Sequence, residues 1–164
     1  MYVTQKDKYV TFRSGKEYFG LKIEYVNEIV VYQEITQIPE TEDYIKGLIN
    51  LRGKIIPVID VRIRFKQEPI EYNDRTCIIV VKVQEMTVGL IVEQIAEVVE
   101  IKEEDILEPP TIGKEETNQQ NKYIYGIGKV GESVKLLLDP EKILKDDDIS
   151  LLEEVTTETE EEGE

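Results

Sequence analysis

The chain has 164 residues, 40% of them hydrophobic, and a formal net charge of −15 at pH 7. A chain of this size buries one ordinary hydrophobic core or two small ones that share an interface. With one cysteine and no histidine, an internal disulfide framework is excluded and the commonest general base and metal ligand is missing.

Charge and hydropathy also limit where the protein acts and what it binds. No apolar run approaches the roughly 18 residues of a membrane span, and the start of the chain lacks the apolar core of a signal peptide. Residues 146–164 hold three aspartates and seven glutamates without Lys or Arg, which is typical of a solvated, disordered tail. No basic stripe interleaves with aromatic residues, so nucleic acid is not an expected partner. We therefore predict a cytoplasmic protein that does not insert into the membrane.

Short strand-like segments separated by turn residues follow one another along the chain, a spacing typical of a small barrel or sandwich. Four hairpins are predicted, each from two segments around a turn: 9–12 with 18–23, 48–51 with 54–59, 76–83 with 88–92, and 125–130 with 134–138. Residues 78–81 are apolar throughout, as expected of a strand packed between its own barrel core and the neighbouring half. Asp139-Pro140 predicts the start of a short helix over 140–144, and a second short helix is predicted over 149–152.

The two halves of the chain resemble each other. Residues 19–30 reappear 69 positions later as residues 88–99, with five identities: Gly20/Gly89, Leu21/Leu90, Glu24/Glu93, Glu28/Glu97 and Val30/Val99. The register resumes at an offset of 79 with Gly47 over Gly126, which implies a ten-residue insertion within residues 100–122. An internal duplication explains this pattern.

The duplication predicts two similar small β-barrels packed side by side, each half supplying about five strands. We place the first barrel at residues 8–72 and the second at 73–146, followed by a short helix and the acidic tail at 147–164. The sequence leaves open whether strands cross between the barrels.

The side chains offer little for catalysis. Glu28 and Glu97 could form an acid and base pair across the halves, but their symmetry under the duplication favours strand-edge or turn positions. Cys77 lies inside an apolar strand, where a thiol is more often inert packing than a nucleophile. The glycines fall in hairpins, with no Gly-rich loop that opens a helix to cradle phosphate. We therefore predict a non-catalytic protein without cofactor or metal.

One segment, residues 44–60, is distinctive beyond the duplication. It contains Gly-Leu-Ile-Asn-Leu-Arg-Gly at residues 47–53, and the positions of Asn50 and Arg52 are taken by Lys129 and Gly131 in the second half. The barrel plan therefore does not require those two side chains. This segment, with Glu28-Ile29 ahead of it, resembles the CheW family of bacterial chemotaxis coupling proteins over about residues 8–152.

The resemblance implies two five-stranded, SH3-like barrels and no catalysis. It also implies two partners, the cytoplasmic tip of chemoreceptors and the regulatory domain of the histidine kinase CheA, in arrays associated with the membrane. The receptor tip is an α-helical hairpin that would lie in an apolar groove between the barrels.

The resemblance places six residues at the receptor contact: Val26, Glu28, Ile29, Gly47, Asn50 and Arg52. Four of them also have a plain structural interpretation: Val26 and Ile29 suit a core, Gly47 suits a backbone requirement of the turn, and an Arg in a hairpin turn such as Arg52 usually faces solvent. In the family, the arginine at the position of Arg52 pairs with the glutamate at the position of Glu28. An exposed pair adds only about 0–1 kcal/mol of stability, so its expected role is to orient Arg52 as a planar donor at the groove mouth.

The kinase contact is predicted in the segment that the first half lacks, residues 106–112. Leu107 and Ile112 are more apolar than a surface loop needs, so they cap a barrel or form a contact patch. The resemblance favours the contact patch and adds Thr111 to it.

Two other functions stay open from the residues alone. One is a β-barrel adaptor or ligand-binding domain of another signalling pathway, and the other is a small acid-base hydrolase that uses Glu28. The duplication is compatible with all three functions and does not distinguish between them. The motif over residues 50–53 does, because it favours the coupling protein.

Overall fold

A computed structural model describes residues 6–109, 123–144 and 148–154. These ranges contain eleven strands: β1 (Lys8–Ser14), β2 (Glu17–Lys22), β3 (Val26–Val31), β4 (Ile45–Leu51), β5 (Lys54–Asp60), β6 (Cys77–Val83), β7 (Met86–Val92), β8 (Gln94–Glu100), β9 (Ile106–Leu107), β10 (Ile124–Val130) and β11 (Ser133–Leu138). A short helix, α1 (Val61–Arg64), follows β5, and residues 148–154 form a second helix. The 3₁₀ turns are Ile23–Tyr25, Glu103–Asp105 and Pro140–Lys142. The protein is therefore mostly β, as predicted.

The strands form a six-stranded sheet in the order β8-β1-β2-β11-β10-β9 and a five-stranded sheet in the order β3-β6-β7-β5-β4. All four predicted hairpins are present as antiparallel pairs. Within the described ranges, the recorded pairing does not close either sheet into a barrel.

Each sheet mixes strands from both halves of the sequence. The six-stranded sheet contains β1 and β2 of the first half, and the five-stranded sheet contains β6 and β7 of the second. Two parallel pairs join the halves: β2 with β11, where Gly20 is opposite Leu137, and β5 with β7, where Gly89 is opposite Val58. The predicted ranges 8–72 and 73–146 therefore each contribute to both sheets, and the strand crossing that the sequence left open occurs.

Three hydrophobic clusters account for the core. The largest draws residues from both sheets, a second lies within the five-stranded sheet and a small third lies within the six-stranded sheet. On β6, Ile78 and Val80 belong to the second cluster, whereas Ile79 and Val81 belong to the largest. This division confirms the prediction that β6 packs on both faces, and each such side chain stabilises the fold by about 1.5–3 kcal/mol.

Both short helices predicted near the end of the chain are present. The first is a 3₁₀ helix, Pro140–Lys142, and is shorter than the predicted range 140–144. Asp139 caps it as expected, because its Oδ1 accepts a hydrogen bond from the Glu141 N–H at 3.0 Å. The second helix carries Ile149 and Leu152 into the largest cluster. The acidic tail beyond residue 154 lies outside the described residues.

The chain after β3 connects the two edges of the five-stranded sheet. The Tyr32 N–H donates to the Thr76 carbonyl at 3.1 Å, and Thr36 and Leu48 exchange backbone hydrogen bonds of 2.9 and 2.8 Å. Residues 32–36 thus first run alongside the start of β6 and then alongside β4. The sheet therefore curls, and its two edge strands, β3 and β4, approach each other.

Gly47 lies on β4 directly beneath the point where residues 35–36 cross over that strand. It has φ of +143°, β4 and β5 shift register beside it, and a Cβ at this position would overlap the Thr36 carbonyl. The second half repeats the arrangement, because Leu107 of β9 pairs with Ile127 above Gly126. The sequence offset between the halves is 69 before the insertion, 71 at Thr36/Leu107 and 79 at Gly47/Gly126. Most of the ten inserted residues therefore follow Leu107.

We predict that Gly47→Ala lowers the free energy of unfolding by about 2–4 kcal/mol, because it adds steric overlap to an unfavourable φ. Gly53→Ala is the matched control. Gly53 also has a positive φ, of +84°, but no atom lies within 4 Å of its Cβ position, so we expect a loss of about 1 kcal/mol. Urea denaturation of both variants measures the difference, and equal losses would show that the crossing does not require glycine.

Candidate functional site

The six predicted receptor-contact residues lie on two neighbouring elements, the edge strand β3 and the β4–β5 hairpin. Val26 is half-buried and packs against the largest cluster. Ile29, on the same strand, is 41% exposed. Gly47 is buried, and its role there is to let the backbone of residues 35–36 approach.

The hairpin turn consists of Arg52 and Gly53, which both have positive φ, at 52° and 84°. Positive φ at both central residues is typical of a type I′ turn, whose twist matches that of the flanking strands. The Gly53 N–H donates to Oδ1 of Asn50 at 2.8 Å. Asn50 is therefore used inside the hairpin, and it holds the backbone in the shape that presents Arg52.

Arg52 forms an ion pair with Glu28 across the gap between the two edges of the sheet. Its Nη2 donates to Oε2 of Glu28, and the two side chains are 69% and 32% exposed. A pair this exposed contributes only about 0–1 kcal/mol to stability. The guanidinium has five N–H donors, so most of them stay available to a partner. The pair orients Arg52 more than it stabilises the fold.

The edge strand that carries Glu28 also carries exposed aliphatic side chains. Val31 is 71% exposed and Ile29 is two residues before it, whereas Val30 between them packs into the second cluster. The sequence prediction did not include Val31, although its alternation with Val30 is the signal that could have found it. We call Glu28, Ile29, Val31 and Arg52 the β3–turn surface. Side chains alternate along β3, so Ile29 and Val31 lie on one face of this edge strand and Glu28, which pairs with Arg52, points to the other.

The duplicated position in the six-stranded sheet lacks this combination. Glu97 and Val98 of β8 are exposed, whereas of their counterparts Ile29 is exposed and Glu28 is half-buried. The equivalent turn has Gly131, with φ of +60°, where the first half has Arg52. Within the part of the chain that the structure describes, Glu97 has no ion-pair partner. The duplication therefore supplies two similar edges, and only one of them carries an arginine.

The geometry gives the hydrolase alternative no support. Glu28 is ion-paired at the surface, and Glu97 lies on an edge strand of the other sheet. Burial raises the pKa of the Cys77 thiol, which disfavours the thiolate needed for nucleophilic attack. No group of three or more metal-ligating side chains occurs in residues 6–109, 123–144 and 148–154.

The predicted kinase contact is only partly visible. Leu107 lies on β9, at an edge of the six-stranded sheet, and is half exposed. Thr111 and Ile112 fall outside the described residues. Over the ranges that the structure covers, no helix has the length and apolarity of a bilayer span.

Comparison with known proteins finds one consistent family. Residues 8–148 match the family model described as CheW-like domain. The chemotaxis protein CheW of Klebsiella aerogenes is 34% identical, covering 93% of this chain and 90% of its own length. That of Treponema pallidum is 32% identical, covering 87% and 85%. The crystal structure of the scaffolding protein TtCheW from Thermoanaerobacter tengcongensis is similar with a TM-score of 0.76 and 36% identity, covering 85% of this chain and 92% of that one.

We predict that Arg52→Gly leaves the free energy of unfolding within about 1 kcal/mol of the wild type. Relief of the left-handed conformation, worth roughly 1 kcal/mol, offsets the lost ion pair. Asn50→Ala, which removes the acceptor of the Gly53 N–H, should instead cost about 1 kcal/mol. Urea denaturation of the two variants tests this, and a loss above about 2 kcal/mol for Arg52→Gly would make Arg52 a residue that the fold requires.

Proposed function

The chain belongs to the CheW family of chemotaxis scaffold proteins, and from this we propose that it couples chemoreceptors to the histidine kinase CheA. In this role it works in the cytoplasm at membrane-associated receptor arrays. It performs no reaction, and its effect comes from holding two partners in a defined geometry.

The observation that carries the proposal is the Arg52–Glu28 pair, which is exposed and has no counterpart in the duplicated half. The turn holds Arg52 in a left-handed conformation at a cost, and its exposed ion pair returns only about 0–1 kcal/mol of stability. Such strain is typical of functional positions. This supports a role for Arg52 in binding.

The β3–turn surface suits a helical partner. Ile29 and Val31 supply apolar area for one face of a helix, which is the helix-in-groove mode of recognition. Arg52 can donate in a plane to carboxylates of that helix or to its carbonyls. The receptor tip, an α-helical hairpin, is the partner that we propose for this surface.

The kinase is proposed to bind elsewhere, at the edge of the six-stranded sheet that carries β9. Leu107 is an exposed apolar residue there, and its counterpart in the first half is the polar Thr36. Thr111 and Ile112 complete the proposed contact. Separate surfaces for the two partners allow one molecule to hold both at once.

We expect Arg52→Glu to weaken binding to a soluble receptor cytoplasmic fragment by at least about 10-fold, the scale of one lost charge-assisted contact. Arg52→Gly should weaken it less, because it removes the donor without adding repulsion. Isothermal titration calorimetry measures both affinities.

Lys54→Glu is the matched control for this experiment. Lys54 is exposed two residues away, donates at 3.3 Å to the Thr87 hydroxyl, and its reversal changes the net charge by the same amount. An equal loss of receptor affinity in this control would mean that net charge, and not the position of Arg52, determines binding.

Replacing Leu107 with Thr, the residue at the duplicated position, should weaken binding to the CheA regulatory domain by roughly 10-fold through loss of buried apolar area. Receptor affinity should not change. Val134→Thr alters a similarly exposed aliphatic residue on β11 and should have no effect. If Leu107→Thr binds the kinase domain like the wild type, the β9 edge is not the kinase contact.

A further inference from the structure

The helix formed by residues 148–154 is attached at one end of β4. Asp148, its first described residue, is only 8% exposed. The Tyr44 hydroxyl donates a hydrogen bond to Oδ2 of Asp148, and Tyr44 directly precedes β4. The apolar side chains of the helix join the largest hydrophobic cluster. The chain beyond residue 154 therefore starts within roughly 10 Å of Asp148, the length of six helical steps.

The β4–β5 hairpin is positively charged in an otherwise acidic chain. Residues 45–59 contain Lys46, Arg52 and Lys54 but no carboxylate, whereas the whole chain has a net charge of −15. Lys46 shares a cleft with two carboxylates, so its charge is largely balanced. Arg52 and Lys54 lie at the other end of β4, at the turn.

Both cations at the turn are accessible. The Arg52 side chain is 69% exposed, and its bond to Glu28 uses one of its five N–H donors. Lys54 is exposed and donates to the Thr87 hydroxyl at 3.3 Å. Among the described residues, only Glu28 forms an ion pair with either of them. The turn can therefore hold further negative charge.

Residues 155–164 have the charge that complements this turn. They contain five glutamates without Lys or Arg. Ten residues reach at most about 33–36 Å, whereas the eight steps from Tyr44 to Arg52 along an extended strand cover about 26 Å. The segment is thus long enough to follow β4 from the contact between Tyr44 and Asp148 to the turn.

We propose that residues 155–164 lie along the β4–β5 hairpin and cover Arg52 and Lys54, an autoinhibitory contact that a bound receptor displaces. Attachment beside β4 gives the segment an effective concentration on the order of millimolar at the hairpin, so contacts too weak for a separate acidic peptide suffice. The contact is electrostatic and is screened by salt. The identity of the displacing partner rests on the proposed function, whereas the contact itself does not.

Amide resonances in NMR spectra measure the contact without a receptor. The full chain is compared with a chain that ends at Glu154, at low and at high ionic strength. At low salt, removal of the acidic segment should shift the resonances of residues 52–54, and high salt should abolish the difference. Gly131, at the duplicated turn, is the matched reference and should not shift. Unchanged resonances at residues 52–54 would overturn the proposal.

Calorimetric titration with the soluble receptor cytoplasmic fragment measures the competition. The shortened chain should bind roughly 3-fold more tightly than the full chain at low ionic strength, and equally at high ionic strength. Lys54→Gln should reduce this gain, because it removes one of the cations that hold the segment. Lys129→Gln, which alters an exposed lysine of β10, should leave the gain unchanged. Equal gains in both backgrounds would contradict a contact at the turn.

A lower net charge could also tighten the complex, so a variant with the same change in charge is the control. It replaces five exposed carboxylates of the second half by amides: Glu100, Glu103, Glu104, Asp105 and Glu108. An equal gain in this variant would mean that the segment acts only through net charge, and the proposal is then wrong. If neither the full nor the shortened chain binds the receptor fragment, the coupling function fails, and the amide shifts still decide whether the contact exists.

Discussion

The architecture depends on a close parallel contact between the halves of the chain, made twice at duplicated positions. Gly20 is opposite Leu137 in one sheet, and Gly89 is opposite Val58 in the other. A Cβ on Gly20 would lie 3.0 Å from Leu137 Cδ2, and one on Gly89 would lie 2.7 Å from Val58 Cγ1. A side chain at Gly89 would overlap its neighbours, and one at Gly20 would require Leu137 to shift, so the contact is closest where the halves pair in parallel. Since each sheet contains strands from both halves, neither sheet is complete without this contact.

This contact also explains which parts of the fold the sequence could predict. Hairpins and their turns are local, and glycine and the alternation of apolar residues mark them directly. The pairing between hairpins is not local, because β2 and β11 are separated by most of the chain. No sequence pattern near either strand indicates that it pairs with the other. The identity Gly20/Gly89 showed that the halves are related, but not that they exchange hairpins.

The candidate site, like the fold, could be predicted from the sequence only in part. Arg52 stood out because its duplicated position is Gly131, and the structure pairs it with Glu28 as the family resemblance implied. The sequence could not separate the structural roles of Asn50 and Gly47 from the proposed receptor contact, because those roles rest on a hydrogen bond to Gly53 and on the approach of residues 35–36. The first contact lies within the hairpin itself, whereas the second exists only once the chain after β3 has packed over β4.

A duplicated fold offers two equivalent copies of every surface, so a position that differs between the halves marks a possible specialisation. Gly131 adopts a positive φ without strain, whereas Arg52 adopts one at a cost and places a donor on the surface. Arg64 shows the same principle at the junction of the halves. A side chain there contacts both copies of a residue, Tyr44 and Tyr123, and only one side chain fits between them. A planar guanidinium stacks on two rings at once, which the compact ammonium of lysine cannot do. The position of Arg64 in the second half is taken by Ile143, whose carbonyl accepts the hydrogen bond from Nε of Arg64.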